Sequence, residues 1–174
     1  MRKILIAVVV LIAGVLVAAS LRPGEFSVQR KLVINAPADK IYPFLVDFRQ
    51  WRAWSPWEKL DPNMSRTLSG PSSGPGATYA WNGSSKVGAG RMEILSVAPP
   101  SKVSIKLDFL EPFEGHNITD FSLAPQGTQT ELTWLMHGPA PFVSKLMGMF
   151  VDMDTMIGKD FEAGLANLKA AAEK

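Results

Sequence analysis

The sequence contains no cysteine, so the chain can form neither a disulfide, nor a thiolate nucleophile, nor a cysteine-ligated metal site. It has only two histidines, His116 and His137, and their spacing does not fit a paired metal motif. Its glycine-rich segments lack the spacing of a phosphate-binding loop. We therefore expect no metal and no cofactor. Whether the protein is an enzyme stays open, with the balance against it, because no set of catalytic side chains stands out.

The chain also lacks an excess of charge of either sign. Two of its 18 basic residues, Arg2 and Lys3, lie at the N-terminus, which leaves 16 basic residues against 16 acidic ones. No run of basic residues occurs, so nucleic acid is not an expected partner. The length after the N-terminal segment suits one domain that needs no disulfide or metal, and we expect a monomer.

The one long apolar segment lies at the N-terminus. Residues 4–21 carry no charge and would span about 27 Å as a helix, close to the thickness of bilayer hydrocarbon. We predict that residues 1–21 form a transmembrane anchor in the inner membrane, with the domain on the periplasmic or extracellular side. A cleaved signal peptide is the alternative, because the small residues at 17–19 resemble a cleavage site.

The rest of the chain is organised as a linker, residues 22–25, and one domain, residues 26–174. Alternation of apolar and polar residues, broken only at Arg30, predicts a strand at 26–34, followed by two short helices and six further strands. Short turns join the neighbouring strands, so the sheet should be antiparallel. A 3.6-residue period then predicts one helix from about 142 to 172. The fold class is therefore α+β: a curved antiparallel sheet of about seven strands wrapped on a long C-terminal helix, with a cavity between them.

Several local segments carry a family resemblance. They are VINAPADKIYPFLVDFRQWRAWSPW near the front of the domain, GPGATYAWNG and VGAGRMEI in the sheet, and DFEAGLANLKA in the last helix. Together with the order of elements, they resemble the SRPBCC superfamily of START-like, helix-grip proteins. This superfamily includes lipid carriers and polyketide cyclases/dehydrases. The resemblance implies the helix-grip fold, but it supplies no shared catalytic motif.

Three of the five tryptophans fall within seven positions, at Trp51, Trp54 and Trp57. Ser55 and Glu58 have the spacing of a capping box, which predicts that a new helix starts between the second and third tryptophans. The cluster can be a hydrophobic pin between the helices and the sheet, or a pocket rim, or a belt that touches the membrane interface. We expect Trp51 to be structural and Trp57 to lie on the rim, with Trp54 between these roles.

Aromatic residues of the sheet and methionines of the last helix are the candidate walls of the cavity. Methionine is flexible and polarizable, so it suits a wall that adapts to apolar ligands, although simple core filling is the alternative. The predicted ligand-binding residues are Trp54, Trp57, Tyr79, Trp81, Met92, Phe109, Phe113, Trp134, Met136, Met149, Phe150, Met153 and Ile157.

The remaining polar residues of interest have mainly structural interpretations. Arg30 falls on the apolar face of its strand, where its head either reaches water or lies inside the pocket as a cation. His116 is expected to be a loop residue without a partner, and His137 to point away from the cavity. Asp152 and Asp154 are expected to be a solvated pair on either side of a buried methionine, because their helical spacing prevents convergence on one ion.

These features predict a membrane-tethered module that binds an apolar small molecule, such as a lipid, an isoprenoid or an aromatic metabolite. The alternatives are an enzyme of the polyketide cyclase or hydrolase type that uses the same cavity, and an interaction domain whose groove is filled by its own side chains. All three require the same apolar face, so the sequence does not separate them.

Overall fold

The computed structural model describes all residues, 1–174. The helices are α1 (Arg2–Ser20), α2 (Ala38–Val46), a 3₁₀ helix (Phe48–Ala53), α3 (Pro56–Leu60), α4 (Phe142–Met147) and α5 (Met153–Ala172). The strands are β1 (Glu25–Ile34), β2 (Ser65–Ser69), β3 (Thr78–Asn82), β4 (Ala89–Ala98), β5 (Lys102–Glu111), β6 (Gly115–Gln126) and β7 (Gln129–Pro139).

The seven strands form one antiparallel sheet in the order β1-β7-β6-β5-β4-β3-β2. Strands β2 to β7 follow one another as a meander, whereas α2, the 3₁₀ helix and α3 carry the chain from β1 at one edge to β2 at the other. The predicted α+β helix-grip fold is confirmed. So is the predicted order of one strand, short helices, six strands and a long helix.

Strand β4 carries two irregularities that bend the sheet. The register between β4 and β5 shifts between Ile94 and Ser96 and again at Gly90, and such bulges increase local twist and bend a strand. Gly90 also lies directly under the indole of Trp81, where a Cβ atom would overlap the ring. Glycine at this position therefore allows a large aromatic side chain to lie flat on the concave face.

Helix α5 covers one half of that concave face. Phe161, Leu165 and Leu168 are buried against the sheet. The Phe161 ring stacks on Trp134 of β7, with a centroid distance of 4.0 Å and an interplanar angle of 8°. Gly164 lies next to the same indole, so that α5 can approach β7 closely. The other half of the concave face is not filled by α5, and this is where the cavity lies.

The predicted single helix over 142–172 is interrupted. Helix α4 ends at Met147, and α5 begins with Asp152 as its N-cap, whose carboxylate accepts from the backbone N–H groups of Asp154 and Thr155 at 3.1 and 3.3 Å. A cap satisfies the free N–H groups of a helix start, so the chain begins a new helix here. Asp152 and Asp154 are both exposed, as the predicted solvated pair requires, but Met153 between them is only half-buried rather than buried.

Arg30 takes neither of its two expected positions. Its guanidinium bridges from β1 to α5, with Nη2 at 3.0 Å from Asp154 Oδ2 and Nε at 2.8 Å from Glu162 Oε1. These hydrogen bonds raise the pKa of Arg30 above its ordinary value, and the bond to Asp154 contributes most. Gly158 makes the bridge possible, because a Cβ there would overlap the guanidinium. Arg30 thus connects α5 to the edge strand outside the cavity.

Helix α1 projects from the domain and is almost entirely exposed. It is the one helix that is long and apolar enough to cross a membrane, a test that a signal sequence also passes. Only Val15 and Ala19 are partly or fully covered, and α1 contacts α4. The covered face therefore belongs to the C-terminal half of α1.

Candidate ligand-binding cavity

A cavity of about 860 Å³ lies between the concave face of the sheet, the N-terminal part of α5 and the short helix α3. This volume falls within the usual range of small-molecule sites, which are concave and lined mainly by apolar side chains. Its exposed lining residues include Phe113, in the turn between β5 and β6, and Val143, Met147 and Val151, in the segment that follows β7, and the cavity meets solvent at these residues.

The sheet wall consists of inward-facing side chains from β3, β4 and β5. Tyr79 and Trp81 are two residues apart on β3, and in antiparallel register they face Met92 and Gly90 of β4. The Trp81 ring meets Phe109 edge to face at 6.1 Å, and its Nε1 donates to the Val87 carbonyl at 3.1 Å. These contacts fix the orientation of a rigid aromatic wall.

The opposite wall is formed by α5 and α3. Met153, Ile157 and Phe161 of α5 line the cavity at helical spacing, and Trp57 of α3 lies beside them on the wall. The ring centroid of Trp57 is 6.0 Å from that of Trp134, which closes the inner end. Flexible methionine and aliphatic side chains thus face the rigid aromatic wall across the cavity.

The tryptophan cluster does not divide in the expected order, because Trp51 and Trp57 line the cavity and Trp54 does not. Trp51 and Trp54 are buried, and their indole N–H groups donate to the carbonyls of Leu45 and Phe44 at 3.3 and 3.0 Å. These bonds fix the 3₁₀ helix on α2. Trp57 points in a new direction and is half-buried on the cavity wall.

The structure places ten of the thirteen predicted ligand-binding residues on the cavity wall. Trp54 does not reach the cavity, because its ring lies below the wall with its edge against Trp134. Met149 and Phe150 also lie off the wall. They fall in the break between α4 and α5, where the helical period used to place them is lost, and the Phe150 side chain is 76% exposed. The ten on the wall are Trp57, Tyr79, Trp81, Met92, Phe109, Phe113, Trp134, Met136, Met153 and Ile157.

A buried polar network within the cavity wall was not predicted, and two of its members, Glu58 and Tyr79, line the cavity. The Glu58 carboxylate accepts from Tyr79 Oη at 2.7 Å and from Arg66 Nε at 2.8 Å. Burial raises the pKa of Tyr79, and the hydrogen bond to Glu58 raises it further. The expected capping box does not form, because Glu58 turns towards the sheet and Ser55 caps nothing with its side chain. Arg66 pairs with Trp81 in the β2–β3 register, so it lies on the inward face of the sheet. An arginine on an inward face is the sequence feature that could have indicated a buried acidic partner.

A few other polar side chains interrupt the apolar wall. Asn117 and Thr119 of β6 are buried on the concave face, and Thr119 Oγ1 and Trp134 Nε1 have no hydrogen-bond partner. Asp160 of α5 also lines the cavity, and burial raises the pKa of its carboxyl group. The cavity can thus hold an apolar molecule that carries a few polar atoms.

The histidines lie outside the cavity. His137 is 3.4 Å from Asp120 on the outer face of the sheet. His116 is not an unpartnered loop residue, as predicted, but a residue of β6 whose Nδ1 is 2.8 Å from Asp108 Oδ1. The hydrogen bond to Asp108 raises the pKa of His116. No group of three or more histidine or acidic side chains is arranged to hold a metal ion.

The fold and the cavity define a ligand-binding helix-grip domain of the SRPBCC superfamily. The chain belongs to the family described as polyketide cyclase / dehydrase and lipid transport, whose model matches residues 25–173. This match runs from the first residue of β1 to the end of α5. No curated protein matches the sequence.

Solved structures share this fold at low sequence identity. The didomain ARO/CYC protein BexL of the BE-7585A biosynthetic pathway has a TM-score of 0.63 at 19% identity. The match covers 90% of this chain and 53% of BexL. Major latex-like protein 151 from Panax ginseng has a TM-score of 0.61 at 13% identity, with 87% of this chain and all of that chain covered. Protein CV1439 from Chromobacterium violaceum has a TM-score of 0.61 at 16% identity, with 88% and 99% covered. At these identities the likeness concerns the fold alone.

Proposed function

We propose that the protein is a membrane-tethered, monomeric binding protein that holds an apolar small molecule, such as a lipid, an isoprenoid or an aromatic metabolite, in the sheet–helix cavity. The observation that carries the proposal is the cavity of about 860 Å³, with aromatic side chains on one wall and methionine and aliphatic side chains on the other. Burying apolar ligand surface against such walls provides the main favourable free energy of binding.

The position of the anchor supports the tether. The apolar segment ends at Leu21, directly after α1. The next two residues, Arg22 and Pro23, both line the cavity. An anchor in the inner membrane, with the domain on its periplasmic or extracellular side, would hold the cavity next to the bilayer. An apolar ligand would then be bound where it is most concentrated.

The polar groups of the cavity favour binding over chemistry. The Glu58 carboxylate is neutralised by Arg66 and already accepts from Tyr79, so it is not free to act as a base. An interaction domain with a filled groove is not favoured, because the groove is open.

A polyketide cyclase-like enzyme is the second candidate, and Asp160 is the observation that favours it. A carboxyl group with no hydrogen-bond partner, on a cavity wall and with a raised pKa, has the properties of a general acid or base. Incubating the purified full chain with apolar probe compounds would separate the two candidates. A carrier releases the compounds unchanged, whereas a cyclase converts them.

Native mass spectrometry of the detergent-purified full chain tests the binding proposal directly. We expect a co-purified apolar molecule in the unmodified protein and its loss in Met153→Glu, which places a carboxylate on the apolar wall. Leu95→Glu is the matched control, because Leu95 is exposed on β4 and does not line the cavity. Equal retention of ligand in all three proteins would contradict binding in this cavity.

A further inference from the structure

The mouth of the cavity is bordered by exposed apolar side chains. We define the apolar lip as Phe113 on one side of the opening and Val143, Met147, Phe150, Val151 and Met156 on the other. Each of the six is exposed, and all except Phe150 also line the cavity. Phe113 and Phe150 are 61% and 76% exposed. A concentration of large apolar side chains around one opening marks a surface that binds a partner, because water is a poor environment for it.

Helix α1 fixes where this surface lies relative to a bilayer. The covered residues of α1 are Val15 and Ala19, on the face that contacts α4. Ala19 lies two residues before Leu21, the end of the apolar segment, which is about 3 Å along a helix axis. Arg22 Nη1 then donates to the Gly148 carbonyl at 2.6 Å and connects the end of α1 to the segment between α4 and α5. The lip on this side is therefore level with the last turn of α1.

We infer that the apolar lip inserts into the interfacial layer of the membrane that α1 crosses, so that the cavity opens towards the bilayer. This inference rests on the membrane tether of the proposed function. A helix whose neighbour is the last turn of a membrane span lies at the headgroup level, where exposed phenylalanine and aliphatic side chains are stabilised by lipid. A ligand can then move between the bilayer and the cavity without crossing water, which restricts the ligand to bilayer-soluble molecules.

Charge does not supply the attraction. The basic side chains that line the cavity, Arg22, Lys86 and Lys145, are outnumbered by the acidic ones, which are Glu25, Glu58, Glu111, Glu114, Asp152, Asp154 and Asp160. Insertion of the lip should therefore depend on apolar contact and be insensitive to salt, unlike the binding of a polybasic surface to anionic lipid.

The absence of cysteine makes the test simple, because every single cysteine substitution creates one labelling site. The full chain is reconstituted into vesicles of phosphatidylethanolamine and phosphatidylglycerol, with an environment-sensitive NBD fluorophore on Phe150→Cys. The matched controls are Leu95→Cys, an exposed position on β4, and Leu11→Cys in the middle of α1. Quenching is measured with nitroxide-labelled lipid in the bilayer and with iodide in the water, at low and at high salt.

We expect the labels at positions 150 and 11 to be quenched by the lipid nitroxide and protected from iodide at both salt concentrations, and the label at 95 to behave in the opposite way. A label at 150 as accessible to iodide as the one at 95, while the label at 11 is in lipid, would overturn the lip and leave the tether intact. A label at 11 that is accessible to iodide would overturn the tether and the lip together. Neither result depends on ligand retention, which Met153→Glu measures separately.

Discussion

Replacement of Glu58 by leucine should destabilise the domain strongly, although its position in the sequence predicts only a helix cap. The Glu58 side chain is only 5% exposed and that of Arg66 16% exposed, with 2.6 Å between Oε2 and Nη2. Removing one member of a buried ion pair leaves the other charge without its partner and costs about 3–5 kcal/mol. Arg66 retains the Met64 carbonyl as an acceptor, so we expect about 3 kcal/mol, the lower end of this range.

The measurement is urea denaturation of the full chain in mild detergent, with a double-mutant cycle. Arg66→Met combined with Glu58→Leu should lose less stability than the sum of the two single variants, with a coupling free energy of about 1–3 kcal/mol. Tyr79→Phe removes one hydrogen bond and should cost about 1 kcal/mol.

Glu93→Leu is the surface control. Glu93 pairs with Arg91, but both side chains are well exposed, at 34% and 51%, so its removal should change stability by less than about 1 kcal/mol. If Glu58→Leu costs no more than Glu93→Leu, or if the cycle shows no coupling, the network does not stabilise the domain in the way the distances imply.

Three further predictions concern the walls. Trp54→Ala should cost about 3–5 kcal/mol in the same urea assay, whereas Trp57→Ala should leave unfolding nearly unchanged and lower ligand retention. Gly164→Ala should destabilise by about 1–3 kcal/mol despite its higher helix propensity, because the new Cβ would lie 2.8 Å from the Trp134 ring. Asp160→Asn should raise the thermal midpoint at pH 7. Burial raises the pKa of Asp160, so the charged form opposes folding as the pH rises above the unfolded value of about 3.9, and the gain should vanish near pH 3.

Each of these has a clear contrary result. Severe unfolding of Trp57→Ala would assign Trp57 to the core. A stabilised Gly164→Ala would mean that α5 moves away from β7 easily. An Asp160→Asn variant with the same gain at pH 3 and pH 7 would show that the effect is not due to the carboxylate charge.

The sequence alone was sufficient for the order of elements and for most of the cavity wall. Strands alternate with a period of two, so the side of each residue follows from its parity. Parity alone therefore puts Tyr79 and Trp81 on one face of their strand, and Leu107 and Phe109 on one face of theirs. The apolar segment of α1 needed only its length and composition.

Only the tertiary structure decided which partners the buried and bridging charged side chains bind. Ser55 and Glu58 have the spacing of a capping box, but Glu58 instead bonds Tyr79 and Arg66, which become neighbours only when β2 and β3 pair. Arg30 gave no sign of its bridge to α5, because its partners are more than a hundred residues away in sequence.

The helix break at Asp152 combines a local cap with long-range contacts, since the Asp152 carboxylate accepts from the N–H groups of Asp154 and Thr155. Apolar periodicity continues through residues 148–152 and gives no stop signal beyond Gly148. The contacts made here, from Arg22 to the Gly148 carbonyl and from α1 to α4, are long-range. Periodicity reports which side chains can share a face. Which partner a buried charge finds, and where a helix must bend to leave a cavity open, depends on groups that meet only after the chain has folded.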